Sequence, residues 1–475
     1  MAGALKDMQI LISWAGYILL YPSRNFAGLI RKSFRFIRKR FAIPEIPEVS
    51  AGTNAAIAEK WSAFPALQNP NYRLFFLGQF VSVIGTWMQI VAQGWLVLQL
   101  TDSPYYLGLV AALATTPSLL FSLFGGVAVD RFDKKKILYC TQVANMVVAT
   151  TLGILTVSGA VSLPVICVSA FLMGTVNAVD APARQAFVST IVTKDQLASA
   201  IAMNSGIFNA ARAIGPAISG FLIASMGSGV AFIINGVSYA ALMVALSFIR
   251  FGDDAKPVRT KPLRAIRDGI VYAFRHPLIR VLLMFTGILS IFGWSYSTLM
   301  PIVARNIYGL EAKGLGYMYA ATGLGSVLAT YLVGAYAKRF SKILFIMGGN
   351  ILFSLSLMTF SFAPPLPIAL VLLFFIGVGL LSQAATMNTL IQTVVQREFR
   401  GRVMSIYVLM FLGIAPFGNF EIGFISEHIS IPVALFFNAT LVLLAGVSVF
   451  RYRKEILDAY RRYSRQIEKS ATRNK

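Results

Sequence analysis

Four charged residues interrupt the long apolar stretches of this chain: Asp180, Arg184, Arg212 and Glu421. A charge deep in a lipid-spanning helix costs about 2.5 kcal/mol or more, so it faces a cavity, a partner or both. Asp180 and Arg184 stand four apart, the spacing that brings two side chains together on one helix face. That pair can be a structural clamp or a coupling site. Arg212 lies near the middle of its run and calls for a polar passage. Glu421 is placed to carry a proton, or else is an ordinary solvated acid near an outer mouth. Gln89 and Gln93 share one face with Trp87 and Trp95 nearby, and amides there bond either a neighbouring helix or a polar ligand.

Such residues need apolar elements to carry them. Of 475 residues 57% are hydrophobic and only 13% charged, and the mean hydropathy is +0.70. Soluble proteins have roughly 45–50% apolar and 25% charged residues. A globular domain could not hide this much apolar surface, so the composition requires an integral membrane protein. Runs long enough to cross about 30 Å of hydrocarbon lie at about 74–100, 105–129, 137–159, 163–187, 197–225, 229–250, 279–305, 314–337, 342–362, 366–394, 402–426 and 431–450. They are continuous rather than alternating, which predicts twelve helices and no spanning strands.

The net charge is +23, from 42 Lys and Arg against 19 Asp and Glu. Its distribution decides its meaning. Every second connection carries the bases, among them Arg131, Lys134, Lys135, Lys136, Lys194, Lys338, Arg339 and Arg400, and the long middle segment 251–278 adds more. The alternate connections at 101–104, 158–163, 226–229 and 363–367 carry none. Positive residues stay in the cytoplasm, so both termini are expected there. The basic excess is topological, and no nucleic-acid partner is expected.

The middle segment divides the spans six and six, and the halves bear traces of duplication. Gly215-Pro216 in the fifth span answers Ala415-Pro416 in the eleventh, and Gly126–Lys136 after the second answers Gly334–Lys342 after the eighth. The expected organisation is a cytoplasmic extension (1–73), a six-helix bundle (74–250), a basic loop (251–278), a second bundle (279–451) and a basic tail (452–475). Within the extension, Met8–Tyr21 is too short to span comfortably. Phe26, Ile30, Phe34, Ile37 and Phe41 recur at helical spacing among six bases, which reads as an amphipathic helix on an anionic leaflet or as a solvated basic linker.

Enzymatic chemistry finds no support. There is no HExxH, GxSxG or Gly-rich phosphate loop. Cys140 and Cys167 are the only cysteines, and His276 and His428 the only histidines. No metal site, cofactor or disulfide framework is expected.

Four stretches, Gly85–Pro104, Gly126–Lys136, Asn177–Phe187 and Arg400–Ser405, together resemble the major facilitator superfamily, specifically its bacterial secretion-effector branch of enterobactin-exporter-like and macrolide-efflux-like permeases. The resemblance covers about 69–451. It implies an all-helical fold of two pseudo-symmetric six-helix bundles and an alternating-access exporter in the bacterial inner membrane, driven by an ion gradient, usually protons, as an antiporter. It implies a gating loop at Gly126, Asp130, Arg131 and Lys134, although Asp133 stands where glycine is usual and Lys338 replaces the acid in the second copy. Asp130 can meet a base or a helix N-terminus of the other half, a contact of roughly 0.3–2 kcal/mol. Residues 211–220 are a partial match to the antiporter motif of drug exporters, with Ala211 and Ser219 in place of glycines. Gly206, Gly215, Ser219 and Gly220 then serve close packing of the fifth span, with Pro216 bending it, or else form a seal against ion leak.

Few charges and many Phe and Met in the spans favour a lipophilic or amphipathic cargo over a polyanion. A siderophore or small drug-like compound is expected, moved by a monomer in contact with membrane lipid. A lysolipid flippase of the same fold, or a sensor or assembly protein working through residues 1–60, are the alternatives.

Overall fold

The structure, a computed structural model, describes residues 64–249, 262–336, 341–396 and 398–455; the side chains at 123 and 262–268 fall outside it. The extension's apolar and amphipathic segments, the basic residues at 251–261, Lys338-Arg339 and the tail beyond 455 therefore lie outside the described residues. Among those described, every regular element is helical and twelve helices are long and apolar enough to cross a membrane.

The first six are α1 (Pro70–Thr101), α2 (Pro104–Arg131), α3 (Lys134–Val157), α4 (Leu163–Ile191), α5 (Lys194–Met226) and α6 (Ser228–Phe248). The second six are α7 (Pro277–Ile307), α8 (Ala312–Tyr336), α9 (Lys342–Ser361), α10 (Leu366–Val394), α11 (Arg400–His428) and α12 (Ile431–Arg451). A further helix, Pro262–Arg275, lies in the segment expected to be loop. Its bases and apolar residues alternate at helical spacing, a pattern masked by the segment's overall charge.

Local chemistry sets the starts. Asn69 accepts from the backbone N–H groups of Asn71 and Tyr72, with Pro70 at the first helical position, where a missing N–H costs nothing. Asp133 caps α3 through Lys136 N (2.9 Å). Thr193 and Gln196 form a capping box on α5. These caps start α1, α3 and α5 a few residues before the apolar runs, because apolarity marks the lipid-facing length and not the helix end.

Lipid is as apolar as a leucine side chain, so helices associate through close packing of small residues and buried polar contacts. A Cβ on Gly85 would lie 2.2 Å from Ser238 Oγ, and one on Gly325 2.0 Å from Phe374 O. One continuous apolar core fills the second bundle and extends into one end of the first, to Trp95, Leu107, Leu152, Ile166, Ile223 and Phe232. At the basic end the first bundle keeps its own small clusters, Val83 with Ile207 and Ala211, and Ala149 with Met173 and Tyr239.

Two spans depart from the expected continuous helices. α7 is helical over Pro277–Ile288, widens to a π-turn at Leu289–Gly293 and tightens at Ser295–Leu299. α11 widens at Leu409–Gly413 and restarts at Ala415. Pro216 stands inside unbroken α5, whereas Pro416 stands in the first turn of a new segment. The two prolines are thus sequence counterparts in different backbone settings.

Candidate functional site

The two bundles meet at the end remote from the basic loops. There α2 crosses α11 and α5 crosses α8, each glycine on glycine. A Cβ on Gly108 would lie 2.8 Å from Gly423 Cα, and one on Gly220 2.8 Å from Gly316 Cα. Real Cβ atoms do not approach backbone this closely, so the seal depends on these glycines. Charges brace it. Glu427 of α11 accepts from Ser103 Oγ (2.6 Å) and Tyr105 N (3.2 Å) at the start of α2. Arg305 of α7 donates to Leu98 O (3.3 Å) at the end of α1, and Asn306 donates to Asp102 (3.3 Å). An anion at a helix N-terminus and a cation at a C-terminus both complement the helix dipole.

At the basic end the described residues of the two bundles stand apart. Ile201, Ser205 and Phe208 are exposed and share a face of α5 with the half-buried Asn209 and Arg212. Arg212 touches the second bundle through Trp294, so this exposed face is a wall of the passage. A Cβ on Gly126 of α2, Gly206 of α5, Gly334 of α8 or Gly401 of α11 would meet nothing within 4 Å. Asp130 and Arg131 are exposed, Lys134 is half-buried, and no described residue bonds the Asp130 carboxylate.

Midway along the passage, the Arg212 guanidinium lies 4.8 Å from the Trp294 ring centre and donates to Asn209 Oδ1 (3.1 Å). Trp294 sits between the widened and tightened turns of α7 and stands edge-on to Phe411 in the widened turn of α11. The two irregular turns are also joined by Ser290 Oγ donating to Phe411 O (2.7 Å). π-turns in helices frequently mark functional sites. Nearer the sealed end, Asn419 receives Thr298 Oγ1 (3.0 Å) and donates across the interface to Ala111 O (3.3 Å) and Thr115 Oγ1 (3.4 Å).

Residues 61–471 match the family model described as transmembrane secretion effector. The chain belongs to that family, within the major facilitator superfamily. This secretion effector is 28% identical over 355 residues to the staphyloferrin A transporter of Staphylococcus aureus (strain NCTC 8325 / PS 47), covering 73% of this chain and 87% of that protein. It is 25% identical over 391 residues to the multidrug efflux pump Tap of Mycolicibacterium fortuitum, covering 79% and 94%. A solved bacterial homolog of the human lysosomal transporter Spinster, in an inward-facing and unoccupied conformation, shares the fold with TM-score 0.65 at 12% identity, over 82% of this chain and 98% of that one. The secretion effector is a multi-pass membrane transporter and not an enzyme.

The residues singled out from sequence fall into three settings in the secretion effector. Asp180 and Arg184 are ion-paired and buried inside the first bundle, where Asp180 also accepts from Thr141 (2.6 Å) and Gln142 (2.9 Å) of α3. Gln89 is buried there too. Its amide donates to Met173 Sδ (2.7 Å) and accepts from Asn235. Gln93 is half-buried, and Trp87 packs against Gly215, beside Ile207 and Ala211. On α5, Gly215 and Ser219 face α1, with Ser219 Oγ donating to Met88 O (2.8 Å), while Gly220 faces α8 and Pro216 is buried. Glu421 accepts from Asn438 of α12 (3.3 Å), which also donates to Ser295 of α7 (3.1 Å). Only Arg212 among the four intramembrane charges touches the opposite bundle. The sequence reading missed Trp294, Asn419 and Glu427. Trp294 had a signal, the small and polar run Gly293–Thr298 inside an apolar span.

Proposed function

We propose that this secretion effector exports a small amphipathic compound, siderophore or drug-like, by alternating access in exchange for protons. The observation that carries the reading is the one-sided seal: glycine crossings close one end, and an exposed face of α5 leads from the basic end to Arg212. With the basic loops in the cytoplasm, this is the state that receives cargo from inside, in a bacterial inner membrane with both termini cytoplasmic. The siderophore and drug relatives support the cargo class.

In the opposite state the basic ends close and the glycine crossings part. Asp130, exposed here, then latches against the second bundle, and Arg131 and Lys134 flank the contact. Glu421 carries the proton, since its Oε1 is buried without a partner while Oε2 holds Asn438, which links it to Ser295 beside Trp294. Asp180–Arg184 is a structural clamp that ties α4 to α3, because three donors hold its carboxylate.

The test compares accumulation of siderophores and dyes in cells with and without the protein and with and without a proton uncoupler. Expression lowers accumulation, and the uncoupler restores it. Glu421→Gln removes the pH-gradient dependence of export, and Asp130→Asn leaves membrane insertion intact while slowing export. Uncoupler-insensitive export would remove protons from the reading. A lysolipid flippase remains the second reading, on the strength of an apolar groove of about 640 Å³ lined by Phe76, Phe80, Met203 and Ile207; movement of labelled lysolipid between leaflets would favour it.

A further inference from the structure

Arg212 is the charge the fold leaves unmatched. The guanidinium carries five N–H donors and no acceptor. Among the described residues it makes one hydrogen bond, to Asn209, one ring contact, to Trp294, and an electrostatic interaction with the Tyr296 phenol, and no described carboxylate pairs with it. The other intramembrane charges are occupied elsewhere: Asp180 by Arg184, Thr141 and Gln142, and Glu421 by Asn438. Arg212 is half-buried, at the head of the exposed α5 face. Trp294 and Phe411 supply an aromatic wall beside it, and Asn419, Thr115 and Thr298 stand about one to two helical turns nearer the seal.

An unpaired cation midway through lipid is costly. It is retained at least cost if a ligand supplies the missing anion during each cycle. Planar carboxylates suit the guanidinium fork, which binds them through two parallel bonds. A cationic amphiphile would meet repulsion at the same place.

We propose that Arg212 is the anchor for a carboxylate, or a similarly planar anion, on an amphipathic cargo whose apolar part lies against Trp294 and Phe411. This rests on the exporter reading and narrows its cargo class: an apolar body with one anionic group, rather than a neutral or cationic one. Arg212 binds the cargo through its free nitrogens while Asn209 holds the guanidinium in place, and Trp294 transfers the event to the irregular turn of α7.

The test needs no ion gradient. The full chain in lipid nanodiscs is titrated with dansylglycine and with its uncharged methyl ester, following energy transfer from tryptophan; Trp294→Phe sets the background. The acid is expected to bind at least tenfold tighter than the ester. Arg212→Gln removes that preference and leaves ester binding intact, which also shows that the variant is folded. Arg212→Lys keeps the charge without the fork and retains part of the preference; should Arg212→Gln not fold, this drop decides. Equal affinity for acid and ester, no binding of either up to millimolar concentration, or a preference that survives in Arg212→Gln would overturn the assignment. The two readings separate in proteoliposomes. A preserved preference without export refutes the exporter and leaves the anion site standing; export without preference does the reverse.

Discussion

Asp180 gathers three donors from two helices, and Arg184 keeps Nη1 buried with no partner. Removing one member of a buried pair strands the other charge, at a cost of about 3–5 kcal/mol. Asp180→Asn is therefore expected to lower the thermal transition of the detergent-purified protein steeply, while Asp180→Asn with Arg184→Met recovers much of the loss. An unchanged transition in the single variant would mean that Arg184 finds another partner. The four-residue spacing made this pair legible in the sequence. Thr141 and Gln142 were not, because nothing in a linear chain says which face of α3 meets α4. The glutamines show the same limit. Their shared face was readable, but burial of Gln89 between Met173 and Asn235 is a property of three helices together.

The number of spans followed from hydropathy, because that quantity acts residue by residue. The breaks in α7 and α11 did not. An apolar run reports that a segment crosses lipid, and it is silent on whether each carbonyl is bonded four or five residues on. These breaks hold each other: Ser290 bonds Phe411 O, and a Cβ on Gly418 would lie 2.1 Å from Ile291 O. Gly418→Leu is expected to force α7 and α11 apart and to lower both the thermal transition and transport, whereas Ser290→Ala costs about 0.6 kcal/mol, the average for a hydrogen bond between membrane helices. Thermal unfolding of the two variants side by side checks the order; equal losses would show that the packing at Gly418 relaxes. The capped helix starts at Asn69, Asp133 and Thr193 carried readable signals, since capping chemistry is local.

At the scale of the whole molecule, closure depends on two glycine crossings that a side chain would spoil. Gly108→Leu and Gly220→Leu are expected to disfavour the sealed arrangement and to populate its opposite. A cysteine introduced at Ser205, on the exposed α5 face, with Cys140 and Cys167 replaced by serine, reports this. A membrane-impermeant maleimide applied from the basic side labels it quickly in the parent and several-fold more slowly in either leucine variant. Equal labelling rates would show that the seal tolerates the extra volume. Which end was sealed could not be read beforehand, because one sequence encodes every state of a transporter and hydropathy does not rank them.

The turn joining α1 to α2 is held from the far bundle by opposite charges, Glu427 at one side and Arg305 at the other, and both lie exposed at the sealed mouth. Exposed charge contacts weaken as dissolved ions accumulate. Brine bathing that mouth should therefore loosen both braces while leaving the glycine seams untouched, so the protein's preferred resting posture becomes a function of the salinity at that mouth, independent of any cargo.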